Sequence, residues 1–331
     1  MTPDSDILDV GVIGVGSMGQ HHARVYNEIS EANLVGVFDV DDEQAATIAR
    51  EHDTRAMDMD ALLDAVDAVS IVVPTQYHYD TAATCLEAGV APFIEKPVLG
   101  SLDDADAFQE LVDEADVPVQ VGHIERFNPA VSALSEIIPE LSIVSIRAQR
   151  LGPPPKREIE DSAVMDLMIH DIDIVLSLLG ESPAEVHSTG VDENRHASAL
   201  LEFESGAMAT LTASRKTQRK VRTLEVTAEE CFVELDYIDQ SIEIHRNSVP
   251  EYIQENGDVR FKHESIVERP MISNAEPLRK ELEAFLGVVD EDGEPEVTVA
   301  DGIEALAVAQ WIEQQGLDSA TQKPEVIAAD D

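Results

Sequence analysis

Lysine is scarce in this chain, with seven residues among 331 against 67 aspartates and glutamates. Lysine and arginine together number 22, which leaves a formal net charge of -45. Such a surface excludes nucleic acid as a general partner, because phosphate backbones are held by basic patches. Cysteine is almost missing. Cys85 and Cys231 are too few for a disulfide framework and stand in no metal-ligand spacing, so both are expected as buried thiols and no metal site is expected. No apolar run approaches about 18 residues, which argues against a membrane span. The opening Met1-Thr2-Pro3-Asp4-Ser5-Asp6 lacks the basic then apolar pattern of a signal peptide, so the expected location is cytoplasmic. No convincing internal repeat or helix-turn-helix segment is visible.

What remains is ample for a globular enzyme. The chain is long enough for two packed domains, and 44% of its residues are hydrophobic. Its charge is spread along the whole length. At about 1 M salt the Debye length falls to about 3 Å and the self-repulsion largely disappears. The acid-rich, lysine-poor composition resembles that of proteins from extremely halophilic archaea. Against this background Lys96 stands out, as the only lysine in the first 155 residues and part of Phe93-Ile94-Glu95-Lys96-Pro97 at the end of an expected strand.

The N-terminal segment carries a nucleotide motif in its proper context. The apolar strand Leu8 to Ile13 runs directly into Gly14-Val15-Gly16-Ser17-Met18-Gly19 and then a helical stretch from Gln20 to Ile29. In a GxGxxG the first glycine makes the turn, the second admits a pyrophosphate and the third lets helix pack on strand, with the anion at the helix N-terminus. The next strand, Leu34 to Phe38, ends at Asp39, twenty residues beyond Gly19. An acid there suits the ribose 2′-hydroxyl of NAD and repels the extra phosphate of NADP. Strand and helix continue to alternate through a strand at 117–122, which predicts an α/β fold with a doubly wound parallel sheet. Ligands of such sheets sit beyond the carboxyl ends of the strands, so Pro74, Thr75, Glu95 and Lys96 should face the cofactor. Pro97 biases Lys96 toward extended backbone.

Further along, Asp166 and His170 are four apart in an apolar stretch, Ala163 to Leu179, of helical pattern, and would project from one face, with Asp173 near the same side. A carboxylate beside an imidazole orients it and raises its proton affinity, as a general base needs. The competing reading has Asp166 solvating the helix and His170 packed in a core. Strands are expected at 197–203, 207–213 and 221–228, with a hairpin turn at Glu202 to Ala207. Late helices are expected near 277–288 and 301–315, the second burying Trp311. Residues 325–331 should fray. With no flexible linker near Gly122 to Arg126, two tightly packed domains are expected, at 1–124 and 125–331. Nine cations fall in two clusters, one of Arg147, Arg150, Lys156 and Arg157, the other of Arg215, Lys216, Arg219, Lys220 and Arg222. They could serve an anionic substrate, or could pair with nearby carboxylates or form subunit contacts.

These motifs resemble the Gfo/Idh/MocA family of sugar dehydrogenases over nearly the whole chain. The resemblance rests on Gly14 to Gly19, Val73-Pro74-Thr75 with His78, Glu95-Lys96-Pro97, Arg126-Phe127-Asn128-Pro129 and Asp166 to Asp173. It implies a Rossmann domain for NAD binding, followed by an α/β domain for substrate and oligomerisation, whose large open, mainly antiparallel sheet builds homodimers or homotetramers. It places Lys96 and His170 at the catalytic positions with Asp166 beside them. Dehydrogenation needs a base, a positive group for the alkoxide and a hydride acceptor, which suits His170, Lys96 and NAD in turn. Cofactor contacts are expected from Gly14, Gly16, Ser17, Met18, Gly19, Asp39, Pro74, Thr75, His78, Glu95 and Lys96. Within the family, the wording around His123 and His170 is most similar to the nucleotide-sugar branch of UDP-N-acetylglucosamine 3-dehydrogenases, whose 3-keto product an aminotransferase can use. Under that resemblance Arg150, Arg157 and Arg215 would hold the diphosphate, Arg126 and Asn128 would frame sugar or nicotinamide, and His123 would line the cleft. His123 and His78 could equally be structural polar residues. Dehydrogenation of a free sugar or inositol stays open, as does a non-catalytic nucleotide-sensing regulator on the same fold.

Overall fold

The segment Leu8–Ile13 (β1) is apolar on both sides, and Val10 through Ile13 are buried, as a central strand covered on both faces requires. The computed structural model describes residues 7–154, 161–248, 251–255, 258–291 and 293–321. Lys156, Arg157 and the tail expected to fray therefore lie outside the described residues. Alternating with β1 come α1 (Gly19–Glu28), β2 (Ala32–Phe38), α2 (Asp42–Glu51), β3 (Arg55–Ala56), α3 (Met59–Leu63), β4 (Ala68–Ile71), α4 (His78–Glu87), β5 (Ala91–Glu95), α5 (Ala105–Asp113) and β6 (Gln120–Gly122). The six strands form a parallel sheet in the order β3-β2-β1-β4-β5-β6. This is the doubly wound dinucleotide-binding order, whose direction reverses between β1 and β4. Helix starts are set by local chemistry. Asp41 accepts from the Glu43 and Gln44 amides at 3.0 and 3.1 Å to begin α2, and Asp58 accepts from Ala61 to begin α3.

After a short turn at Ile124–Phe127, the chain continues through α6 (Pro129–Ile137), β7 (Ile143–Leu151), a π-helical turn at Val164–Met168 and α7 (Ile169–Leu179). There follow β8 (Pro183–Val191), β9 (His196–Phe203), β10 (Met208–Ser214), β11 (Val221–Ala228), β12 (Phe232–Asp236), β13 (Ser241–Asn247), β14 (Glu251–Glu255), β15 (Asp258–Lys262) and β16 (Ser265–Glu268). Eight of these strands make a second sheet, β16-β13-β12-β11-β7-β10-β9-β8, antiparallel except where β7 meets β10. The expected hairpin joins β9 to β10, and Gly206 supplies its positive φ of 89°. Among the described residues, β14 and β15 pair only with each other.

Two late helices, α8 (Pro277–Glu291) and α9 (Val299–Thr321), close the described chain. The chain divides into two compact units, one of residues 1–127 with 275–307, the other of residues 128–274 with 308–331. The division departs from a single cut at 124/125, because α8 returns to the first unit. Leu278, Leu282, Phe285 and Leu286 lie in one core with Val10, Tyr26 and Phe93, and Phe285 meets Phe93 edge-on at 5.7 Å. Trp311, expected in the core, is 41% exposed. The buried positions of α9 follow Ala305, Val308, Ala309 and Ile312, a helical stripe that residue 311 misses. Both cysteines are buried, and burial pushes the Cys85 thiol up to about 12. Among the described residues no helix is long and apolar enough to cross a membrane.

Candidate active site

The turn between β1 and α1 assigns a separate task to each glycine of the motif. Gly14 adopts φ +88°, and a Cβ there would lie 2.6 Å from the Val72 carbonyl oxygen. At Gly19 a Cβ would fall 1.9 Å from the Gly14 oxygen, so only glycine lets α1 start this close to the strand. Around Gly16 nothing lies within 4 Å, leaving that backbone open to a ligand. Asp39, just past β2, accepts the Val15 N–H at 2.8 Å on one oxygen and the Asp41 N–H at 3.0 Å on the other. Gln44 from α2 donates to the Val15 carbonyl at 2.8 Å. The glycine turn is thus fastened to the end of β2.

A cleft of about 470 Å³ opens here, lined by Gly14, Gly16, Asp39, Val40, Met59 and Pro74 among others. Its apolar walls beside one carboxylate and an open glycine backbone fit the adenosine half of a nicotinamide dinucleotide. Tyr77 and Thr81 also line it, and the sequence motif gave no hint of either. His78 does not line it. That ring is 1% exposed, with Nδ1 3.0 Å from the Pro97 carbonyl and Nε2 3.0 Å from that of Val73. It ties together the segments that follow β4 and β5. Burial pushes its pKa down, against the two carbonyls and the Glu95 carboxylate, and a neutral ring donates to only one of the carbonyls at a time.

Behind Lys96 lies a buried polar chain. Tyr26 and Ser70 are joined oxygen to oxygen at 2.9 Å, Ser70 lies 3.0 Å from His22 Nδ1, and His22 Nε2 lies 3.1 Å from Glu95 Oε1. The second Glu95 oxygen accepts the Lys96 amide at 3.1 Å. Burial would raise the Glu95 pKa, but the His22 hydrogen bond and the charges of His22 and Lys96 outweigh it and hold the group below its ordinary value. An ionised Glu95 can only accept, so His22 donates to it from Nε2. Desolvation raises the pKa of the buried Tyr26 hydroxyl, which stays protonated beside Ser70. The peptide bond from Lys96 to Pro97 is cis.

In the second unit, Asp166 and His170 are both half-buried but do not share one α-helix. Asp166 sits in the π turn and His170 in the first turn of α7. Ser162 accepts the amides of Val164 and Met165 at 3.2 and 3.1 Å and donates to Glu313 at 2.7 Å, which starts this turn. Wider turns of this kind recur at functional sites. Asp173 is buried at 1% exposure. Asp166 is engaged by Arg215, whose guanidinium also donates to the Asp161 carbonyl.

Among the described residues of the basic clusters, Arg147, Arg150, Arg215 and Lys216 form ion pairs. Arg150, expected to serve a diphosphate, is 2% exposed and holds Asp171 with two hydrogen bonds of 3.0 and 2.9 Å, its guanidinium 5.0 Å from the Tyr237 ring centroid. Arg147 pairs with Glu225, and Lys216 with Asp192. Of the framing residues, Arg126 donates to the Glu296 carbonyl at 3.3 Å and lies 3.5 Å from Asp301. Asn128 caps α6 through Ala130 and donates to the Tyr237 carbonyl at 3.1 Å. His123 is 1% exposed. Arg126 and Asn128 thus make these contacts within their own units, and His123 is buried.

Comparison with known proteins agrees with both sheets. Residues 8–123 match the oxidoreductase family with NAD-binding Rossmann fold, and residues 141–234 match the GFO/IDH/MocA C-terminal domain. The chain is similar to UDP-N-acetylglucosamine 3-dehydrogenase of Acidithiobacillus ferrooxidans, at 37% identity over 246 residues, covering 72% of this chain and 77% of that protein. A solved structure of the A. ferrooxidans enzyme superposes with a TM-score of 0.85 at 31% identity, covering 95% of this chain and 99% of that one. The inositol 2-dehydrogenase of Rhizobium meliloti is 27% identical over 326 residues, covering 90% of this chain and 94% of its own. With a nicotinamide-binding Rossmann sheet, a matching C-terminal sheet and dehydrogenases among its relatives, the chain belongs to the Gfo/Idh/MocA family of oxidoreductases and acts on CH–OH groups.

Proposed function

We propose that this enzyme is an NAD-dependent dehydrogenase that oxidises the 3-hydroxyl of a UDP-N-acetylhexosamine, foremost UDP-N-acetylglucosamine, to the 3-keto sugar. The observation that carries this reading is the similarity to the A. ferrooxidans UDP-N-acetylglucosamine 3-dehydrogenase, present in sequence and across 95% of the chain in structure. When bound, NAD supplies the hydride acceptor. Asp39 at the cleft margin favours the ribose hydroxyls of NAD over the phosphate of NADP. Lys96 supplies positive charge to the developing alkoxide, and the His170 imidazole takes the hydroxyl proton, with Asp166 as its acidic neighbour in sequence. The second unit carries substrate-binding and assembly roles. The eight-stranded sheet of that unit builds a homodimer or homotetramer. Light scattering in molar KCl tests that assembly, and a monomer would count against it. The 3-keto product suits an aminotransferase as the next enzyme.

The deciding experiment follows NADH absorbance with UDP-N-acetylglucosamine, free hexoses, pentoses and inositol in high KCl. Turnover of the nucleotide sugar supports the proposal. Turnover of a free polyol alone would select the second reading, an inositol or sugar dehydrogenase, which the R. meliloti similarity favours. Tight NAD binding without hydride transfer to any of these would point to a nucleotide-sensing role.

A further inference from the structure

The polar chain behind Lys96 is built more fully than packing requires. His22 is 0% exposed in the first helix after the glycine turn, Ser70 is 0% exposed on β4, and both are polar groups that burial penalises unless they are paired. Their pairing converges on one carboxylate. Glu95 Oε1 is held by His22, while Oε2 receives the Lys96 amide, so the imidazole acts on the backbone from which the Lys96 side chain departs. His22 also lies against Phe93 of the same strand, with ring centroids 5.5 Å apart. On the other side, His78 reaches the carbonyl of Pro97, the next residue. Lys96 is thus flanked by two buried histidines that come from helices directly following the cofactor turn and β4.

We propose that His22 is a positioning residue for the dehydrogenase reaction, acting through Glu95 to fix the backbone that presents Lys96, with Ser70 and Tyr26 holding the ring at Nδ1 and His78 anchoring the far side of the same turn. The chain sets the proton on His22 Nε2. Rotation or loss of the imidazole removes the donor from Glu95 Oε1, and with it the tie that steadies the carboxylate holding the Lys96 amide. The inference rests on the assignment of Lys96 as the catalytic cation.

The test compares wild type, His22→Ala and His22→Gln in high KCl. Glutamine can place an amide donor near the position of Nε2. Hydrogen–deuterium exchange over residues 94–99 reads the anchor without any substrate, and kcat with UDP-N-acetylglucosamine and the dissociation constant for NAD read its use. His22→Ala should speed exchange at the Lys96 amide about tenfold or more and lower kcat about tenfold to a hundredfold, with NAD affinity changed less than about threefold. His22→Gln should recover much of both losses. Unchanged exchange in His22→Ala overturns the proposal, as does a loss of kcat matched by an equal loss of NAD affinity and unrelieved by glutamine. If wild type turns over no UDP sugar, the functional reading fails on its own, and the exchange measurement still decides whether His22 anchors Lys96.

Discussion

Arg150 grips Asp171 through two hydrogen bonds, with side-chain exposures of 3% and 2%, and Asp171 is the residue next to His170. A buried pair broken on one side leaves a charge without compensation, at a cost of about 3–5 kcal/mol. Arg150→Leu should therefore destabilise the second unit by about that amount in urea unfolding. The double variant Arg150→Met with Asp171→Leu should regain most of it, because removing both charges removes the desolvation burden as well. A double variant no more stable than the single would show that packing of the guanidinium on Tyr237, and not charge, holds this region.

Lys96→Ala and His170→Ala should each lower kcat about a hundredfold or more while calorimetric NAD binding stays close to wild type. Full activity in either would remove that residue from the chemistry. A large loss of NAD affinity in Lys96→Ala would reassign the lysine to holding the cofactor.

Asp39→Ser takes away the carboxylate at the cleft margin. The ratio of NADP to NAD affinity should rise about tenfold or more, since the like-charge repulsion of the 2′-phosphate goes with it. Asp39 also receives the Val15 amide, so affinity for both dinucleotides should fall to a smaller extent. An unchanged ratio would show that the ribose is read elsewhere.

The net charge of -45 makes salt a stabilising agent for this chain. The melting temperature should climb as KCl goes from about 0.1 M to above 1 M, where charges farther apart than about 3 Å are screened. A protein more stable in dilute buffer than in molar KCl would contradict the halophilic reading of its composition.

Much of the first unit is legible in its residues because each signal there is local. The glycine turn is followed by its own helix, and Asp39 is fixed by its distance along the chain from Gly19. The open second sheet is harder to read. In β13, Ile242 and Ile244 alternate with the polar Glu243 and His245, a strand pattern diluted by the charge the whole surface carries. Pairings across the fold are not written locally at all. Arg150 and Asp171 are 21 apart and Arg215 and Asp166 are 49 apart, so a cluster of cations in sequence could equally have met a diphosphate. His22 is hidden for the same reason, being an unremarked residue in a helix whose partner lies 73 positions away. The π turn also escapes notice, since its side chains follow the same apolar spacing that an α-helix would show.

The return of α8 to the first core sets the order in which this protein can be made. Phe285, Leu282 and Leu278 complete a core begun by Val10, Tyr26 and Phe93, so a nascent chain that has emerged only through β6 still shows the apolar surface they will cover. During synthesis the cofactor unit must wait, part-finished, until the entire eight-stranded sheet has left the ribosome. A fragment cut at residue 124 should accordingly bind chaperones or aggregate. Supplying residues 275–307 after β6 through a short linker, as a rearranged single chain, is the direct way to obtain a cofactor unit that folds alone.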